Sequence, residues 1–359
     1  MWPDRRITEL LGIELPIVQA PMAGAQGSAL AIAVCQAGGL GSLPCAMLSP
    51  DQARAEMGVI RQQTDRPFNV NFFCHQPPAI DVAREAAWRE KFAGYYREFG
   101  IDAAAIPAGP ARAPFDEQYC RLIEELRPKI VSFHFGLPEK GLLARVKATG
   151  AVVLSSATTV AEARWLQDRG CDAIIAQGYE AGGHRGIFLS EDTAAQPGTM
   201  ALVPQVVDAV SVPVLAAGGI ADGRGMVAAL ALGAAGVQIG TAYLLTPEAR
   251  ISAVHRLALQ GASDDATTLT NVFTGRPARG LVNRLIRELG PISPAAPHFP
   301  LAAGALAPLR AKAEAANSGE FSPLWSGQAA SLAREMGAAD LTRVLASGAE
   351  TLLARLTRA

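Results

Sequence analysis

The run Glu180-Ala181-Gly182-Gly183-His184-Arg185-Gly186 follows directly on a β-branched segment, Asp172 to Gly178. Glycines let a backbone approach a flat or anionic ligand closely. Histidine is the side chain whose unperturbed charge change lies near neutral pH. A glycine-rich turn carrying one base, straight after a buried strand, reads as a cofactor site rather than a surface loop. His184 is the candidate base or anion anchor, the plainer reading being a histidine that only packs. Comparable turns recur at Gln19-Ala20-Pro21-Met22-Ala23-Gly24, Ala217-Gly218-Gly219-Ile220-Ala221-Asp222 and Gln238-Ile239-Gly240-Thr241.

These turns suit an aromatic, phosphorylated cofactor. Gly218-Gly219 and Gly240-Thr241 have the character of a phosphate cradle, where backbone N–H groups and a helix start hold the anion. The amides of Asn71, Gln177 and Gln238 can donate and accept, as the pyrimidine edge or ribityl chain of a flavin requires. Ala20, Pro21 and Met22 offer a small apolar platform for a ring face, and His134 stands where it could orient substrate or flavin. What is missing narrows the chemistry further. No lysine stands among these turns, which argues against Schiff-base chemistry. Glu180 and Asp222 are the acidic residues near them, too few for a Mg²⁺ cluster or a paired-carboxylate glycosidase. His134 and His184 lack a third obvious ligand for zinc, and no G-x-G-x-x-G run follows a strand. Arg276, Arg279 and Arg284 are candidate carboxylate holders whose alternative is a structural or solvated role.

Eight short apolar runs must carry these turns: Ile17 to Pro21, Gly39 to Leu43, Phe68 to Phe73, Ile130 to Phe135, Ala151 to Ser155, Ala173 to Gln177, Val212 to Ala216 and Gly236 to Thr241. Helical patterns such as Thr159 to Arg169 and Gly225 to Leu232 lie between them. Strand-helix alternation repeated about eight times predicts an α/β fold with parallel strands, a (β/α)8 TIM barrel. Continuous apolar strands are expected where both faces are covered. In such a barrel the chemistry sits at the C-terminal strand ends, where all the turns above fall. Pro247 to about Phe321 shows helical pieces and proline-rich turns without a convincing strand. This predicts a small helical substrate or lid domain at 247–321, inserted after strand eight, with the barrel built from 1–246 and 322–359.

The 359 residues are half apolar, with 32 basic against 33 acidic side chains. No basic stripe favours nucleic acid and no polybasic amphipathic segment favours a membrane. The apolar stretch Met226 to Leu245 is broken by glycines and carries Gln238, so it reads as buried helix and strand. The N-terminus lacks the apolar core of a signal peptide. Cys35, Cys45, Cys74, Cys120 and Cys171 are odd in number and scattered, as in a reduced cytoplasmic protein. A monomer or homodimer is expected.

Taken together, the Gln19 to Gly24 motif, the Glu180 to Gly186 loop, Gly218 to Gly225 and Gln238 to Thr241 resemble the nitronate monooxygenase (2-nitropropane dioxygenase) family over nearly the whole chain. Gln19-Ala20-Pro21-Met22 stands where related FMN-dependent enoyl reductases tend to have Gln-Gly-Gly-Met. The resemblance implies FMN, held at Ala20, Pro21, Met22, Asn71, Gln177, Gly182, Gly183, Ala217, Gly218, Gly219, Gln238, Gly240 and Thr241. Ser326-Gly327-Gln328 resembles a family segment that returns to the flavin near its ring, bringing Ser326 and Gln328 to the site. His184 is implied as catalytic base and His134 as a substrate-side hydrogen-bond donor. The implied reaction oxidises alkyl nitronates, such as propionate 3-nitronate, with O₂ to carbonyl compounds and nitrite. The alternative is an FMN-dependent NAD(P)H reductase acting on quinones or an enoyl thioester.

Overall fold

A computed structural model describes residues 2–103, 106 and 113–357. Eight parallel strands form one sheet in the order β1-β9-β8-β6-β5-β4-β3-β2. They are β1 (Ile17–Gln19), β2 (Ser42–Pro44), β3 (Asn69–Phe73), β4 (Ile130–His134), β5 (Val152–Ala157), β6 (Ala173–Gln177), β8 (Val214–Ala217) and β9 (Gly236–Ile239). Gln19 N donates to Leu40 O at 2.9 Å and Leu40 N to Ile17 O at 2.9 Å, which carries the hydrogen bonding from β1 round to the β2 side. The fold is the expected (β/α)8 barrel, and each expected strand overlaps an observed one. All eight strands are buried almost throughout, as befits a sheet lined inside by side chains and wrapped outside by helices.

Capping chemistry sets where the helices begin. Thr159, the residue before the helix Val160–Asp168, accepts from Glu162 N, and Asp222 accepts from Arg224 N and Gly225 N to open Gly223–Ala231. The last helix, Ala338–Leu356, packs on Gly223–Ala231 and on Ser28–Gln36. It therefore fills the helical position between β9 and β1.

Residues 247–321 depart from the expectation in one respect. Helices Ala253–Gln260, Arg284–Leu289 and Ala303–Ala315 are present. So are two strands where the sequence offers no convincing one, β10 (Thr267–Thr270) and β11 (Ala278–Leu281), paired antiparallel. On its other side β11 pairs with β7 (Gly183–His184), so the three make a separate small sheet. Four-residue strands rich in Thr and Arg carry too little alternation to be seen locally. A second apolar core joins this segment to Trp88, Phe92 and Tyr96 from the excursion between β3 and β4. Trp88 Nε1 donates to Ala302 O at 3.1 Å and Tyr96 Oη to Ala305 O at 2.7 Å. No helix among the described residues is long and apolar enough to cross a membrane. All five cysteines are free, and burial pushes the Cys45 and Cys171 thiols up to about 12.

Candidate active site

A cavity of about 520 Å³ opens at the C-terminal mouth of the barrel. That volume is in the usual range for a small-molecule or cofactor site. Its wall collects residues from every part of the barrel that carried a glycine-rich or amide-bearing strand end. Ala20, Pro21 and Met22 line it after β1, Asn71 on β3, His134 on β4, Gln177 on β6, and Gly182, Gly183 and His184 on the following loop. Ala217, Gly218 and Gly219 follow from β8, and Gln238, Gly240 and Thr241 from β9. Ser326 and Gln328 stand apart from this wall. The Ser326 hydroxyl donates to Gly327 O at 3.1 Å and Gln328 is exposed, while Gly327 and Trp325 between and before them are the residues that line the cavity. The segment is seated by Gln328 N on Glu180 O at 3.0 Å and Gly327 N on Thr241 Oγ1 at 2.9 Å. A Cβ at Gly182 would stand 2.4 Å from Gly327 N, so only glycine lets the two loops meet.

The loop bearing His184 is held from behind. Gln177 Nε2 donates to His184 O at 3.1 Å, and Gly186 N donates to Gln177 Oε1 at 2.7 Å. Arg185 is fully buried and donates to Gln196 Oε1, Gly178 O and Gln177 O at 2.6–2.8 Å. Burial lowers its pKa to about 10, so the guanidinium remains charged at neutral pH. Glu162, also buried, accepts from Thr158 N, Thr158 Oγ1 and Phe188 N, tying the far end of the loop to the helix after β5. The two acidic residues near the strand ends prove to be helix caps. Glu180 accepts from Thr199 N and Thr199 Oγ1 at the start of Thr199–Ala209, and Asp222 caps Gly223–Ala231.

His134 has a setting that differs from the expected substrate-side donor. Its Nε2 lies 3.2 Å from His184 O, an acceptor only, and so carries the hydrogen. Its Nδ1 accepts from Ser156 Oγ at 2.6 Å. Burial, with the charge of Arg276 nearby, lowers its pKa to about 3. His134 is therefore a neutral ring with both nitrogens engaged, holding the His184 backbone in place. His184 lies among Phe299, Trp325, Phe135 and Phe73, at ring-centroid distances of 5.2 to 6.3 Å. Its Nε2 is 2.9 Å from Thr274 Oγ1.

The three arginines singled out in the sequence are structural and lie outside the cavity wall. Arg276 stacks 3.9 Å above the Phe135 ring and donates to Ile187 O. Arg279 donates to Tyr179 O at 3.1 Å, and Arg284 pairs with Glu98 and Glu288. Ser156, Arg185 and Thr274 were not seen as site residues from the sequence. Thr274 stands two residues before Arg276, but its partner lies 90 positions away, beyond any local signal.

Comparison with known proteins places the chain among relatives of one family. Residues 4–348 match the family model for nitronate monooxygenase. A nitronate monooxygenase from Pseudomonas aeruginosa is 44% identical, covering 95% of this chain and 97% of its own length. One from Paraburkholderia phytofirmans is 43% identical, covering 95% and 94%. The nitroalkane oxidase structure from Streptomyces ansochromogenes superposes with a TM-score of 0.88 at 39% identity, covering 98% of this chain and 99% of that one. FabK from Thermotoga maritima superposes less closely, with a TM-score of 0.72 at 28% identity over 99% of both chains. The chain belongs to the nitronate monooxygenase family.

Proposed function

We propose that this enzyme is an FMN-dependent nitronate monooxygenase that oxidises alkyl nitronates with O₂ to carbonyl compounds and nitrite. The observation that carries the reading is a single cavity whose wall brings the glycine turns after β8 and β9 together with His184. The residues present fit FMN. Gln238 Oε1 is buried at the cavity without a hydrogen-bond partner in the protein, as an atom awaiting a ligand N–H or O–H would be. Gly183 has φ +70°, and no protein atom lies within 4 Å of where its Cβ would stand, so the loop presents bare backbone to a ligand. Gly218-Gly219 and Gly240-Thr241 would hold the phosphate, Ala20 to Met22 would flank the ring, and Asn71, Gln177 and Gln238 would reach its polar edges.

FMN, when bound there, supplies the electron-accepting chemistry that a nitronate and O₂ require. The chain's own residues do the rest. Buried Arg185 and half-buried Arg276 lie behind the loop and make the site favour an anion, which a nitronate is. His184 takes the α-proton when the substrate arrives as a neutral nitroalkane. Neutral His134 fixes the loop so that His184 stays at the cavity.

Oxygen uptake and nitrite release with an alkyl nitronate test the proposal. Turnover without NAD(P)H is expected. Rapid anaerobic bleaching of the flavin by NAD(P)H, with no nitrite from nitronates, would instead establish the reductase alternative.

A further inference from the structure

We propose that Thr274 is a positioning residue that fixes the tautomer of His184, placing the hydrogen on Nε2 and the proton-accepting lone pair on Nδ1; this rests on reading His184 as the base. His184 is one half of β7, and its backbone pairs with Ala278 of β11. The next residue continues the seam, with Arg185 N donating to Pro277 O at 2.9 Å. The turn between β10 and β11 therefore cannot shift without moving the His184 backbone.

That turn is itself fixed. Gly275 has φ +86°, and a Cβ there would fall 1.9 Å from Pro297 O. Gly275 N donates to Asn271 O at 2.8 Å, and the Asn271 side chain both donates to Ser293 O and accepts from Ser293 N, at 2.9 and 2.8 Å. Thr274 is 4% exposed, and its Oγ1 stands 3.4 Å from Arg276 O, a carbonyl that can only accept. With the hydroxyl hydrogen turned to that carbonyl, the oxygen lone pair faces His184 Nε2 at 2.9 Å and calls for an N–H there. Carbon rings cannot make this choice, so Phe299, Trp325, Phe135 and Phe73 confine the imidazole without setting its hydrogen. Among the described residues, the charged and titratable groups near it include neutral His134 on β4, Arg185 next in the chain, Arg276 and Arg279 on the hairpin, and His75 beyond the Phe299 ring. The partner that orients a histidine normally decides which nitrogen is basic.

The test is a long-range ¹H–¹⁵N correlation spectrum of the ¹⁵N-histidine-labelled holoenzyme, with the His184 signals assigned by their loss in His184→Asn. The wild-type protein should show Nε2 protonated and Nδ1 bare near neutral pH. Thr274→Ser should keep that pattern, and Thr274→Val should move it toward a tautomer mixture. In parallel, kcat/KM for neutral nitroethane should fall about ten- to hundredfold in Thr274→Val. It should recover to within about threefold in Thr274→Ser, and preformed ethylnitronate should change by less than about threefold in either. A wild-type spectrum with hydrogen on Nδ1, or an unchanged tautomer in a folded Thr274→Val protein, overturns the inference. The wild-type spectrum decides even if the valine variant does not fold. Full nitroethane turnover in His184→Asn would overturn the base reading instead, leaving the spectrum to judge Thr274 separately.

Discussion

His184 depends on its neighbours for its position and orientation. Gln177 and His134 hold its carbonyl, Thr274 meets its ring, and Arg185 locks the loop behind it. Replacing His184 with Asn should leave the flavin bound, since the expected cofactor contacts lie on other residues. Turnover of neutral nitroethane should drop by about 10²–10⁴-fold while preformed nitronate is largely spared, as parallel nitrite assays would show. Gly183→Val puts a branched side chain where no protein atom stands and forces a left-handed backbone on a residue that resists it. It should lower FMN affinity at least tenfold in a fluorescence titration, a loss of about 1.4 kcal/mol. The glycine turns and His184 were legible in the sequence because residue type alone marks them. Ser156 and Thr274 were not, because a serine or threonine gains meaning only from a histidine 22 or 90 positions away.

The element that most distinguishes the mouth of this barrel is the small sheet β10-β11-β7, which sews residues 267–281 to the His184 loop. The barrel strands announce themselves as apolar runs because both of their faces are covered. Thr267–Thr270 and Ala278–Leu281 do not, since they are only four residues long and β11 takes its second partner, the two-residue β7, from far away in sequence. The helices 82–98 likewise went unread, because the face they bury belongs to the second core rather than to the barrel. Arg185 is the pin of this arrangement. Arg185→Met would leave Gln177 O, Gly178 O and Gln196 without their donor in a buried setting. The expected cost is about 3 kcal/mol or more. It would be read as a lower urea midpoint, together with new protease cleavage near the β10–β11 turn before the barrel itself opens.

At the scale of the whole molecule, acid should unfold the protein through its buried histidines. Burial lowers His134 to about 3 and His255 to about 4, both from 6.5. Each is held neutral in the fold, so the unfolded chain binds more protons between those values and 6.5. The stabilisation is complete above pH 6.5 and is lost as pH falls toward the folded values. At about pH 5 the loss amounts to about 2 kcal/mol per histidine. Urea midpoints at about pH 7 and pH 5 check this, and His134→Gln should shrink the difference. The larger architecture turns the strand ends to one mouth, and what fills that mouth is the central question. The direct measurement is the visible spectrum of the purified protein with the mass of the chromophore released on heating. A yellow protein that yields one FMN per chain is expected. A colourless protein that takes up no added FMN, or one that releases a different chromophore, would contradict it.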